Sequence, residues 1–218
     1  MFDLEELSLR LRPLMPLTAL NTCWRFLDKS AKSILDVGCG KGDPMKFINR
    51  TRNFYAVGLD IFKPYLIKAK KNNTHDDYVL CDVRHMPVRI KSFDVVLCIE
   101  VLEHLKREEG INLIRAMEKV ARRQVILTTP VGRYEQHAYD DNPYQEHRYV
   151  WSVDEIKRLG YNVKGAGLKG IPGESGLAYK TPSFLKPILH ALWIIAGIFT
   201  YNSPIHAGHM VCVKSLNR

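Results

Sequence analysis

Between Ser33 and Pro130 the chain repeats one unit: a short run rich in Val, Ile and Leu, then a stretch carrying helix signals. The runs are SILDVG (33–38), FYAVGLD (54–60), DYVLCD (77–82), FDVVLCI (93–99) and RQVILTTP (123–130). Strands alternating with helices in this rhythm predict a doubly wound α/β fold around a mainly parallel sheet. A strand near 161–168 and the last one, HMVCVKS (209–215), bring the predicted strands to seven. Asp43 as N-cap with Pro44 in the first turn predicts one helix, and Pro64 opens the next. A third spans 107–121 with Ile111, Ile114 and Val120 on one face, and a short one starts near Ser152. With 218 residues, 46% of them hydrophobic, the chain suffices for one large core. The expected division is an N-terminal helical cap over 1–30, broken at Pro13 and Pro16 and packed over the ligand edge of the sheet, then one domain over 31–218. That domain has insertions at about 131–150 and 169–206.

The first run leads straight into three glycines at alternate positions: SILDVGCGKGDP, residues 33–44. Gly38, Gly40 and Gly42 fall at the carboxyl end of the first strand, the edge where open α/β sheets bind ligands. A dinucleotide fingerprint, G-x-G-x-x-G, would need its third glycine at Asp43, which instead puts an anion where a pyrophosphate would sit. A P-loop fails as well, because Lys41 is followed by Gly42 and not by Ser or Thr. A ligand without phosphates, carrying an ammonium and a sulfonium, tolerates both Asp36 and Asp43.

LDVGCGKGD resembles the first motif of class I S-adenosylmethionine-dependent methyltransferases, a G-x-G-x-G loop after an acidic strand end. The further motifs follow in order. The resemblance implies a Rossmann-like seven-stranded sheet, last strand antiparallel, with helices on both faces and S-adenosyl-L-methionine as cofactor. It implies that Asp36 holds the cofactor's amino group, with Gly38, Cys39, Gly40 and Gly42 close to it. Asp60 in VGLDIF would bond both ribose hydroxyls, with Ile61 against the adenine. Asp82 and the Val83 amide in CDVRHMP would read the adenine edge. In FDVVLCIEVLEHL, the residues from Cys98 and Ile99 to Val101 would lie beside the cofactor and Glu103-His104 on the substrate side. Bland readings stay open for each: Asp60 as a helix cap, Asp82 as a turn cap, Glu103-His104 as a solvated helix edge.

The downstream part, from NPYQEHRYVW (142–151) onward, resembles small-molecule methyltransferases of the type-11 group. A hydroxyl acceptor needs a base, and His104 and His147 are the candidates, with Tyr144 and Glu146 beside the acceptor. The expected function is methyl transfer to a small molecule, a sugar or a lipid-linked one among the options. Alternatives remain: RNA methylation, a module that binds the cofactor without catalysis, and another nucleotide-type ligand on the same fold. The charge of +9 keeps RNA in view, with eight Lys/Arg in 41–71 against Asp43 and Asp60. The strand-4 sequence CIEVLEH disfavours nucleic acid, since amino-methylating enzymes carry an Asn/Asp-Pro-Pro-aromatic motif there. No metal is expected, because no Cys/His cluster has zinc spacing, and Cys23, Cys39, Cys81, Cys98 and Cys212 read as reduced core residues. An acidic N-terminus without an apolar secretory core predicts a cytoplasmic protein. FLKPILHALWIIAGIFT (184–200) is short and interrupted for a membrane span of about 20 residues. It is expected as a buried or interface helix, with peripheral membrane contact or a homodimer as the other roles.

Overall fold

The computed structural model describes residues 17–50, 54–132, 136–138, 140–170, 181–182 and 185–216. Its seven strands are β1 (Ser33–Val37), β2 (Tyr55–Asp60), β3 (Asp77–Leu80), β4 (Phe93–Ile99), β5 (Ala121–Pro130), β6 (Asn162–Ala166) and β7 (His209–Ser215). They form one sheet in the order β3-β2-β1-β4-β5-β7-β6, in which β7 runs antiparallel to both neighbours and the β1–β5 pairs are parallel.

Side-chain alternation along the central strands sends successive residues to opposite faces. Leu35, Val37, Val57, Leu59, Val96, Val125 and Leu127 face one core. Ile34, Ala56, Val95, Leu97 and Ile126 face the other. The first face is covered by α4 (Arg107–Val120) through Leu113, Ile114, Met117 and Val120, and by α5 (Val153–Arg158) through Val153 and Ile156. Ile111, expected on the buried stripe of α4, lies at its margin. The second face is covered by α1 (Ala19–Phe26) and α2 (Asp43–Ile48), through Cys23, Met45 and Ile48. α3 (Lys63–Lys71) packs beside β2 and β3.

Three expectations are corrected. The described part of the N-terminal segment, α1, packs on a sheet face against β7, β6 and α2 and not over the ligand edge, because Cys23 and the following Leu27 are drawn into that core. Residues 1–16, with Pro13 and Pro16, lie outside the described residues. The N-cap of α2 is Gly42, not Asp43, which stands in the first turn. Finally, of the buried or interface helix expected over 184–200, α6 (Lys186–Thr200) is only partly buried among the described residues. Trp193, Gly197 and Thr200 are buried, while Ile188, Leu192, Ile195, Ile198 and Phe199 are exposed. No helix among the described residues is long and apolar enough to cross a membrane.

α5 opens on a capping box in which the Ser152 hydroxyl accepts from the Glu155 N–H at 3.2 Å and the Glu155 carboxylate accepts from the Ser152 N–H at 3.2 Å. The same carboxylate accepts from Tyr149 Oη at 2.8 Å and Arg107 Nε at 3.0 Å. Burial alone would raise the Glu155 pKa. The hydrogen bonds from Tyr149, Arg107 and Ser152 outweigh it and hold the group at about 2 against its ordinary 4.5. A carboxyl depressed on folding lends stability that is complete above its unfolded value and drains as pH falls toward the folded one. Thermal melts of the wild type and Glu155→Gln should therefore differ above pH 4.5 and converge as pH falls toward 2. A constant gap across that window would contradict the assignment.

Candidate functional site

Strand order places β1 between β2 and β4, so the chain leaves β1 in one direction and β4 in the other. A crevice opens at such a switch point, outside the carboxyl ends of the strands. There the structure has a cavity of ≈ 640 Å³ whose wall runs from the β1–α2 loop, past the ends of β2, β3 and β4, to residues 142–148.

At one end lies the glycine loop. Gly38 has φ +72°, and a Cβ there would stand 2.4 Å from Val101 Cγ2, so the loop can approach the turn after β4 only without a side chain. Gly40 has φ +55° and no atom within 4 Å of where its Cβ would be, an open cradle in the cavity wall. The Gly38 and Cys39 N–H groups donate to Leu59 O at 2.8 Å. Asp60, ending β2, accepts from the Gly40 N–H through Oδ2 and from the Phe62 N–H through Oδ1, each at 2.8 Å. Burial raises the Asp60 pKa against these backbone donors.

Of the other residues expected at the cofactor, Cys39, Ile61, Asp82, Val83 and Ile99 line this cavity. Asp36, Gly42 and Cys98 are not in its wall. Asp36 is 2% exposed, and its Oδ2 lies 3.1 Å from Nε2 of the buried His75. Cys98 is fully buried in the core. Burial pushes the thiols of Cys39 and Cys98 up, which keeps them protonated and poor nucleophiles. Asp82 accepts from Arg84 Nε at 3.0 Å and from the Arg84 N–H at 2.9 Å, and the side-chain bond with Arg84 lowers its pKa.

The opposite end is built after β4. Glu100 holds φ +55°, a conformation a non-glycine residue keeps only when its surroundings impose it. Its N–H donates to Thr128 O at 3.2 Å, and its Oε1 accepts from Thr128 Oγ1 at 2.6 Å. Glu103 is 3% exposed and accepts from Thr129 Oγ1 at 3.0 Å. Burial, and then the Glu100 charge, push the Glu103 pKa well up. The Glu103 carbonyl accepts from the Arg148 and Tyr149 N–H groups at 2.7 and 3.1 Å, which pins residues 148–149 to the turn. Trp151 follows, with its indole N–H on Leu102 O at 3.1 Å. His104 and His147 consequently meet with ring centroids 5.0 Å apart. His104 Nδ1 lies 3.1 Å from Glu146 O. Because a carbonyl only accepts, Nδ1 carries the hydrogen and Nε2 the lone pair. Burial lowers the His104 pKa, keeping the ring neutral at neutral pH.

Tyr144 and His147 line the cavity with Glu103 and His104, whereas the exposed Glu146 contributes its backbone and is not in the wall. Sequence reasoning missed Tyr65, Arg84, Arg148 and His209, all in the wall, whereas Glu100 and Val101, expected beside the cofactor, are in it. It also missed that Asp140 ion-pairs with Lys41 and accepts from Tyr65 Oη at 3.1 Å, fastening the segment after β5 to the glycine loop. No local pattern marks a contact across such a sequence separation.

A methyltransferase-domain family model, of the type numbered 11, matches residues 35–129. A ubiquinone biosynthesis O-methyltransferase of Hahella chejuensis is 32% identical over 106 residues, 44% of this chain and 43% of that protein. A probable tRNA methyltransferase 9B of Homo sapiens is 30% identical over 130 residues, 60% of this chain and 24% of that protein. The chain spans less than half the length of these curated relatives. The crystal structure of a SAM-dependent methyltransferase from Archaeoglobus fulgidus superposes with a TM-score of 0.57 at 16% identity, covering 97% of this chain and 94% of that one. Residues 35–129 are thus matched as a methyltransferase domain of type 11, whose cofactor is S-adenosylmethionine, and the strand order with its antiparallel β7 is the fold shared with the SAM-dependent methyltransferase on which the chain superposes.

Proposed function

We propose that this protein transfers a methyl group from S-adenosylmethionine to a hydroxyl of a small-molecule acceptor. The observation that carries the reading is that one cavity has two chemically distinct ends: a glycine cradle with Asp60 and Asp82, and a cluster of Glu103, His104 and His147 beside Tyr144. At the first end Gly38, Cys39 and Gly40 give close backbone approach, Asp60 takes the ribose hydroxyls, Ile61 packs on the adenine, and Asp82 with Val83 reads its edge. Ile99 closes that half. Asp36, in β1, is paired with His75 and is not part of the cavity wall.

The bound cofactor supplies a methyl group already activated by its sulfonium. What remains for the chain is to align the acceptor and exclude water. The Lys41–Asp140 and Tyr65–Asp140 contacts tie the segment after β5 to the glycine loop and α3. His104 and His147 bind and orient the acceptor at the second end. Support for a lipid-linked acceptor is the exposed apolar side of α6. The probable tRNA methyltransferase relative and exposed Lys63, Lys68, Lys70 and Lys71 of α3 support a second reading, an RNA acceptor.

Calorimetric titration should show one S-adenosylmethionine and, in a separate run, one S-adenosylhomocysteine bound per chain. Incubation with a panel of hydroxylated small molecules should then release S-adenosylhomocysteine. Folded protein that binds neither nucleoside would end the methyltransferase reading. Turnover confined to RNA, with steep salt dependence, would favour the second reading.

A further inference from the structure

We propose that Glu103, His104 and His147 form a site for a divalent first-row transition ion at the acceptor end of the cavity. What the ion does for an acceptor rests on the methyltransferase reading above; that it binds rests on these residues alone. One ligating atom from each of the three lies within 4.8 Å of the other two. Around an ion bonded at about 2.0–2.2 Å to imidazole nitrogen and carboxylate oxygen, neighbouring donors stand ~3 Å apart and opposed ones ~4 Å apart.

The groups behind the three donors fit the same purpose. Ligating imidazoles are oriented by a hydrogen bond from the other ring nitrogen, commonly to a backbone carbonyl. His104 makes that bond, Nδ1–H to Glu146 O at 3.1 Å, which leaves Nε2 as its donor atom. The Glu103 carboxylate is held by Thr129 Oγ1 at 3.0 Å, and the bonds from the Arg148 and Tyr149 N–H groups to the Glu103 carbonyl fix the segment that carries His147. Glu100 adds a second carboxylate to the same wall, held by Thr128 and 3.4 Å from His209 Nε2.

Two imidazoles and one carboxylate select a first-row transition ion over calcium or magnesium, which prefer all-oxygen sites. Such a set fills three positions and leaves the others open. Since all three residues line the cavity, an oxygen-bearing acceptor entering it would complete the shell and be both oriented and made more acidic.

The test is titration of chelator-stripped full-length protein with Co²⁺, followed by calorimetry and by the visible d–d bands, alongside S-adenosylmethionine titration of the same samples. One Co²⁺ per chain with d–d bands is expected. His147→Gln and His104→Gln should each weaken it by at least about a hundredfold, since even an orienting partner is worth about 10–100-fold. Both variants should keep the wild-type melting profile and S-adenosylmethionine affinity. Wild-type protein that binds S-adenosylmethionine but no Co²⁺ overturns the ion site and leaves the methyltransferase reading standing. So does Co²⁺ binding that both variants retain, which would put the ion elsewhere. Co²⁺ bound at this site without any S-adenosylmethionine affinity supports the ion site and overturns the methyltransferase reading instead.

Discussion

Asp60→Asn should raise the dissociation constant for S-adenosylmethionine by at least about a hundredfold. Two hydrogen bonds to a charged group are worth about 1.5–3 kcal/mol each, and each tenfold in affinity is about 1.4 kcal/mol. The substitution keeps the volume but removes the charge, and an amide presents one acceptor where the carboxylate has two. The Gly40 and Phe62 N–H groups, now both served by Asp60, would compete for it. Loop displacement is therefore part of the expected loss. Asp82→Asn is the comparison: Asp82 is already engaged by Arg84, so its ligand contacts are weaker and its loss in affinity should be the smaller. Calorimetry with both variants, each checked by thermal melt, reads the difference. Wild-type affinity in folded Asp60→Asn protein would remove Asp60 from the ribose site.

Trp151→Ala should cost about 3–5 kcal/mol, the range for truncating a fully buried Trp. Trp151 is 1% exposed, and its ring lies so close to α4 that a Cβ on Gly110 would stand 2.4 Å from it. Its indole N–H also serves Leu102 O in the turn that carries Glu103 and His104. Truncation removes packing and orphans that carbonyl together. At about 2–4 °C per kcal/mol for a chain of this size, the melting temperature should fall on the order of 10 °C. A change below about 1 kcal/mol would mean that the 142–151 segment is held by other contacts.

The sheet was legible because its signal is local and periodic. Val37 and Leu59 had to be buried in any parallel sheet, and the glycines at 38 and 40 by themselves declared a close backbone approach. Both follow from residue type and spacing within a dozen positions, the range over which strand alternation and turn chemistry act.

Tertiary structure decided what depends on distance between remote residues. Nothing beside Asp36 announces His75, which meets it only because β3 is entered next to β2 in the sheet. Capping rules pointed to Asp43, yet the chain turns at Gly42, where a positive φ sets the helix entry. The hydrophobicity of α6 suggested burial, but among the described residues it is the side bearing Trp193, Gly197 and Thr200 that is covered. Glu103-His104 and His147 showed no metal spacing because their ligating atoms converge through a backbone pairing, Arg148 and Tyr149 on the Glu103 carbonyl. The sequence by itself determined the strands, the glycine loop and the acids after β2 and β3, since these are set by period and residue type. Only the fold decided which of them face the cavity and which side chains meet across it, because hydrogen bonds and packing between distant segments leave no local pattern to read.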